Sequence, residues 1–141
     1  MHYWQTGLAA LRIEEAGLSK LIESFESDLA EGFNKTVAMV LDTKGRTIVS
    51  GMGKSGHIGR KFAATLSSTG TPAQFIHAGE ASHGDLGGIT SSDIVFLISN
   101  SGESEELSAI IEHTRRFAIP SIALHLFVSG FCILLIMSGL Q

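Results

Sequence analysis

Cysteine is almost missing. Cys132 is the one cysteine in 141 residues, so an internal disulfide and a zinc-finger spacing are both excluded, and a reducing, cytoplasmic setting fits. Excess positive charge is missing as well. A formal net charge of −4 argues against nucleic acid as the main partner. The N-terminus has no basic stretch followed by an apolar run, so no secretory signal is read there. No internal repeat and no low-complexity linker interrupts the chain. Charge disappears altogether near the end, since no Asp, Glu, Lys or Arg lies between Ile119 and Leu140. What remains is 44% apolar, ample for one buried core in a chain of single-domain length.

Periodicity gives the order of elements. Leu8, Leu11, Ala16, Leu18, Leu21, Ile22 and Phe25 recur at helical spacing, so a helix is expected over about 8–30, with a second over about 27–41. "DTKG" is a turn and "RTIVSGM" a short β-branched strand. A helix is expected from Gly56, closed by Gly70. "AQFIH" follows as a strand, then a glycine-rich loop over 78–90, then "DIVFLISN", whose unbroken apolar run suits a buried parallel strand. "SGESEELSAIIEHTRRF" reads as a helix with glutamates in its first turn and His113, Arg115 and Arg116 in its last, and "IPSIAL" as a fourth strand. Strands alternating with helices imply a doubly wound parallel α/β sheet, with ligands at the carboxyl ends of its strands.

The segment "IVSGMGKSGHIGR" is the first candidate for chemistry. It is not a Walker A loop, because Ile48 stands where that motif needs its first glycine. Gly51, Gly53 and Gly56 spell a dinucleotide fingerprint, but the acid expected about twenty residues on is met only loosely by Glu80. A third reading is an anion held at a helix N-terminus. Lys54, His57, Arg60 and Lys61 oppose the dipole of that helix with no acid among them, and a bound anion would remove the conflict. The second glycine-bearing turn, over 99–104, also follows a strand, so both turns are expected on one rim. Ser99, Asn100, Ser101 and Ser104 offer hydroxyls, an amide and backbone N–H groups to a phosphate; plain capping by Ser101 or Ser104 is the structural alternative. "HAGEASHGD" carries His77, Glu80, His83 and Asp85 at a spacing that suits a divalent metal or hydrogen bonds to a sugar, while structural hydrogen bonds account for them equally.

With "GMGKSGHIGRK", "STGTPAQFIHAGEASHGDLG" and "ISNSGESEEL" in this order, the chain resembles the sugar isomerase (SIS) domain of arabinose-5-phosphate isomerases, from about Leu8 to about Ala123. The resemblance implies a flavodoxin-like fold, a cytoplasmic homotetramer, and interconversion of D-arabinose 5-phosphate and D-ribulose 5-phosphate for Kdo and lipopolysaccharide synthesis. It requires no cofactor and implies inhibition by zinc, with His77 as the metal ligand. It implies catalytic roles for Lys54, Glu106 and His83. It places Ser55, Gly70, Thr71, His83, Ser99, Asn100, Ser101 and Ser104 at the substrate. Local physics alone would put Glu106 in a helix first turn for its charge. A non-catalytic sugar-phosphate sensor is the rival reading.

Past Ala123 the resemblance stops. The family continues with "APTSST", a further required glutamate and an "SHPGG" histidine, so the implied catalytic set is incomplete in these residues. Residues 124–141, with "GFCILLIM", form a divergent apolar tail. Three readings stand for it: sequence from a shifted frame or a truncation, a membrane segment with Arg115 and Arg116 on its cytoplasmic side, or a substitute buried strand or helix.

Overall fold

The computed structural model describes residues 2–101, 105–126 and 132–137. Helix α1 spans Tyr3–Phe25 and α2 spans Leu29–Asp42, so the first helix starts earlier than its apolar spacing suggests and the expected overlap is absent. Ser24 and Ser27 explain the break between them. Their hydroxyls donate to the carbonyls of Lys20 and Glu23, turning local polar groups onto the backbone where the helix ends.

Five strands form one sheet in the order β2-β1-β3-β4-β5. They are β1 (Thr47–Gly51), β2 (Ala73–His77), β3 (Ile94–Ser99), β4 (Ser121–Leu126) and β5 (Cys132–Met137). The first four are mutually parallel, as the alternation of strands and helices predicts, and β5 runs antiparallel to β4. Helices α3 (Gly53–Ser68), α4 (Ala78–Ala81) and α5 (Ser108–Arg116) complete the winding.

Both faces of the sheet are covered. Ile48, Val95, Leu97, Ile110 and Ile119 form a core with α4 and α5 on one side. Val49, Ile94, Phe96, Ile98 and Ile122 pack on the other against Phe62 and Ala63 of α3 and Met39 and Val40 of α2. Strands buried on both faces need no polar alternation, which is why "IVFLIS" reads as a continuous apolar run.

Sheet pairing accounts for part of the tail. Cys132–Met137 is an edge strand in register with Ser121–Leu126, and no helix among the described residues is long and apolar enough to cross a membrane. These six residues take the strand form of the third reading; residues 127–131 and 138–141 of the tail lie outside the described residues. The sheet also continues through the Ala123 boundary, because β4 straddles it.

Two helix ends at the amino-terminal edge of the sheet use the same motif with different residues. At the end of α3, Gly70 adopts φ 96° while Thr71 N–H donates to Leu66 and Gly70 N–H to Ser67. At the end of α5 the same pair of bonds runs from Ile119 to Thr114 and from Ala118 to Arg115, but a non-glycine, Ala118, sits at φ 51°.

Candidate functional site

The strand order reverses direction between β1 and β3: the chain leaves β1 toward β2, then crosses back to β3. At such a switch point two loops diverge and leave a crevice at the carboxyl edge. Here the register pairs Gly51, the last residue of β1, with Ile98, next to last in β3. The two strand ends therefore stand side by side, and the turns that follow them open on one rim.

Glycine makes that approach possible. A Cβ on Gly51 would lie 2.9 Å from the Ile98 carbonyl oxygen and 3.1 Å from the backbone of Ser55, and a Cβ on Gly56 would lie 2.8 Å from the Gly51 oxygen. Any side chain at either position would collide with backbone, which cannot swing away. The glycines are set by close packing of strand, turn and helix, which explains why they match a dinucleotide fingerprint in spelling without its distal acid.

Helix α3 begins at Gly53, three residues earlier than expected, because Met52 is extended and Gly53 takes φ 52°. The first intrahelical bond here runs from Gly56 N–H to the Met52 carbonyl, so the N–H groups of Gly53, Lys54 and Ser55 face outward from the helix start. No side chain caps them and no acid lies in the first turn. This corrects the charge argument in part. Only Lys54 of the four cations occupies the first turn, while Arg60 lies over the Phe75 ring at 4.6 Å, well down the helix. Lys54 is exposed and Ser55 half-buried at the mouth of the turn.

Ser99 ends β3, and Asn100 and Ser101 follow on the same rim. Ser104 lies outside the described residues. Glu106 is exposed in a 3-10 turn over Glu105–Leu107 that precedes α5, so the first-turn placement expected for the glutamates holds for a turn before the helix and not for the helix itself. The cap of α5 is Leu107, with no side-chain hydrogen bond, so Ser101 does not stand at the N-cap of α5 itself.

Beside this turn sits α4, and Leu107, Ala78 and Ala81 share one apolar cluster. The contact carries Glu106 to the neighbourhood of the loop bearing His77 and His83. His77 ends β2, in register with Gly51, and its buried Nδ1 has no hydrogen-bond partner. His83 is exposed, its N–H bonded to the Glu80 carbonyl. A cavity of about 320 Å³ flanks the free edge of β2, bounded by His77, Glu80 and Asp85 together with Arg46 and Arg60. No local pattern in the sequence points to Arg46, which reaches this cavity from the residue before β1.

Two expected groupings are not brought together by the described residues of a single chain. Gly70 and Thr71 precede β2, so they lie at the amino-terminal edge, about 16 Å from the rim at 3.3 Å per strand residue. They end a helix there and do not join Lys54 and Ser99. The second is the metal cluster: among the described residues no three of His, Cys, Asp and Glu come together as a ligand set. The short loop carrying His77, Glu80, His83 and Asp85 folds as a helical turn and a 3-10 turn, and three of the four line the cavity beside β2 without meeting as a ligand set. His77 fits as one ligand, and the described residues supply no companions.

Comparison with known proteins matches this arrangement. The SIS domain model covers residues 40–126. Arabinose 5-phosphate isomerase KdsD of Escherichia coli K12 is 46% identical over 122 residues, 86% of this chain and 36% of that protein. KdsD of Yersinia pestis is 48% identical over the same shares. The chain thus spans about a third of the length of these relatives. Among solved structures, the c3406 protein of E. coli CFT073 in complex with arabinose 5-phosphate superposes with a TM-score of 0.76 at 36% identity, covering 89% of this chain and 66% of that one. From the switch point, the glycine turn after β1 and the family match over residues 40–126, the chain belongs to the SIS domain family.

Proposed function

We propose that this chain binds a pentose phosphate at the carboxyl edge of β1 and β3, and that it carries part of the machinery for interconverting D-arabinose 5-phosphate and D-ribulose 5-phosphate. The observation that carries the proposal is the abutment of the two strand ends, where Gly51 admits no side chain against the Ile98 carbonyl. The relatives with 46–48% identity named as arabinose 5-phosphate isomerases, and the neighbour solved with arabinose 5-phosphate, support the choice of sugar.

In this reading the N–H groups of Gly53 to Ser55 and the polar groups of Ser99, Asn100, Ser101 and Ser104 hold the phosphate, with Lys54 adding charge. After ring opening, the Glu106 carboxylate takes a proton from the carbon next to the carbonyl. A cis-enediol forms, and the same proton returns to the neighbouring carbon as the hydroxyl proton shifts between oxygens. Lys54 steadies the negative charge that develops on the enediol oxygen, and His83 assists ring opening. Gly70 and Thr71 contribute to a substrate site only if a second copy brings its amino-terminal edge to this rim. The reaction needs no cofactor; zinc, held at His77 with ligands from outside this chain, would inhibit. A cytoplasmic homo-oligomer serving lipopolysaccharide precursor synthesis is the setting this implies.

The test couples thermal stabilisation to turnover. Arabinose 5-phosphate is expected to raise the melting temperature of the wild type and to lose that effect in Lys54→Ala. Ribulose 5-phosphate formation is expected to vanish in Glu106→Gln while stabilisation persists. Stabilisation without turnover in the wild type would favour the non-catalytic sensor, and neither effect would remove the proposal.

A further inference from the structure

A cavity of about 600 Å³ opens at the amino-terminal edge of the sheet, away from the glycine turns. Its size lies within the ~300–1,000 Å³ usual for a small-molecule site. Lys35, Ala38, Met39 and Asp42 form one wall, at the i, i+3, i+4, i+7 spacing of a single face of α2. The wall runs for about 10 Å at 1.5 Å rise per residue. Facing it are the turn over 91–93, Ile94 at the start of β3, and Pro120 just before β4. Thr43 and Lys44, which follow α2, close one end.

The walls select the body of a ligand. Ala38, Met39, Ile94 and Pro120 are apolar, and the flexible Met39 side chain adapts to an irregular shape. None of the described lining residues is aromatic, so a base or other flat ring finds no face to stack on. The polar groups in the walls are mostly engaged. The Thr43 hydroxyl donates to the Met39 carbonyl at 2.7 Å, and the Ser92 and Thr90 hydroxyls share a bond at 2.9 Å. Asp93 already accepts from Arg46 and Thr90. A sugar, which needs many free partners, fits poorly there, and an aliphatic chain fits well.

Charge selects the head group. Among the described residues the ion pairs are Lys35–Glu31 and Arg46–Asp93, so Lys44 has no acid of its own. Lys35 sits in an exposed i,i+4 pair, which is worth little and leaves its ammonium free to turn toward a ligand. Against these two cations stands Asp42, exposed at the carbonyl end of α2, while Asp93 is balanced by Arg46. The lining thus carries one net positive charge, which suits one negative head group and not two.

We propose that this cavity binds a single-chain aliphatic monoanion, an acyl carboxylate of medium length. Its chain lies along Ala38, Met39, Ile94 and Pro120, and its carboxylate meets Lys44. A strand's length, about 16 Å at 3.3 Å per residue, separates this site from the rim that follows β1 and β3. The proposal therefore neither rests on sugar-phosphate binding nor competes with it.

Decanoate is the probe, kept below its micelle concentration, with decanol and decyltrimethylammonium as neutral and cationic controls. Amide spectra of the full chain titrated with decanoate are expected to shift at Ala38, Met39, Lys44, Ser91 and Ile94. Decanoate is expected to bind more tightly than decanol, and the cation most weakly. Lys44→Glu is expected to weaken decanoate by about tenfold or more, as loss of a charge-assisted contact, and to leave decanol unchanged. Ala38→Phe, at an exposed helix position, fills the trough and is expected to abolish binding of both. Circular dichroism checks that each variant keeps its fold. Several results would each overturn the proposal: no binding at millimolar decanoate, shifts confined to the exposed Phe33, Val37 and Leu41, equal affinity for decanoate and decanol, or decanoate affinity unmoved in either folded variant.

Discussion

The two edges of the sheet are finished differently. At the amino-terminal edge the polar groups close on one another. Asp93, 3% exposed, accepts from the Arg46 N–H at 2.7 Å, from the Thr90 N–H at 2.8 Å and from the Thr90 hydroxyl at 2.9 Å, with the Arg46 guanidinium at 3.4 Å. The same guanidinium donates to Gln74 and to the Gly88 carbonyl. At the carboxyl-terminal edge the helix start of α3 is uncapped, Lys54 stands in its first turn and His77 Nδ1 is buried without a partner. One edge holds the fold and the other leaves hydrogen-bonding capacity for something else to fill. Substitutions should therefore split by edge, with stability affected at one and ligand response at the other.

Gly51→Val tests the place where the two roles meet and should have the largest effect. Its side chain must enter backbone 2.9 Å away, so a loss of about 3 kcal/mol or more is expected, at the upper end for overpacking, with the sugar-phosphate response abolished. Chemical denaturation and a ligand thermal shift would measure both.

Asp93→Ala should be purely structural. It removes the acceptor of two part-buried N–H donors, those of Arg46 and Thr90, at about 1 kcal/mol for each, the low end for an unsatisfied group, while the shift given by arabinose 5-phosphate on the surviving folded protein stays unchanged. Its pH dependence has a defined sign. Burial works to raise the Asp93 pKa, but the N–H and hydroxyl donors of Arg46 and Thr90 outweigh it and hold the carboxyl below its ordinary value. A carboxyl lowered on folding stabilises the protein above about pH 4, the unfolded value, and that contribution is lost as pH falls through the lower folded value. Acid denaturation of Asp93→Asn should be flatter below about pH 4 than that of the wild type.

Lys54→Ala sharpens the contrast from the other edge. A charge-assisted contact to phosphate is worth about 1.5–3 kcal/mol, so affinity should fall roughly tenfold to a hundredfold, with unfolding free energy unchanged; titration calorimetry beside denaturation would show it. The smallest effect belongs to the two helix ends. Ala118→Gly relieves a left-handed alanine that costs about 1–2 kcal/mol, offset by chain entropy, and should raise stability by under about 1 kcal/mol, whereas Gly70→Ala should lower it by a similar amount.

Much of this was legible in the residues. The strands "TIVSG" and "IVFLIS" and the basic last turn of α5 carry local signals that tertiary structure did not overrule. The shared rim followed from topology, since turns after parallel strands open on one edge. What escaped were matters of distance. Arg46 and Asp93 lie 47 residues apart and nothing local links them. Gly70 and Thr71, given to the substrate by resemblance, form a left-handed helix stop at the other edge, so a single copy of the chain does not bring them to the rim. "CILLIM" has no periodicity that separates strand from helix, and only pairing with β4 decided it.

The central claim is that the strand ends of β1 and β3 serve one phosphate. Amide spectra of the chain titrated with arabinose 5-phosphate test it directly. The account predicts the largest shifts at Gly53, Lys54, Ser55, Asn100 and Ser101, saturating with a single dissociation constant. Shifts confined to Gly70 and Thr71, to the cavity beside β2, or absent from the rim would contradict it.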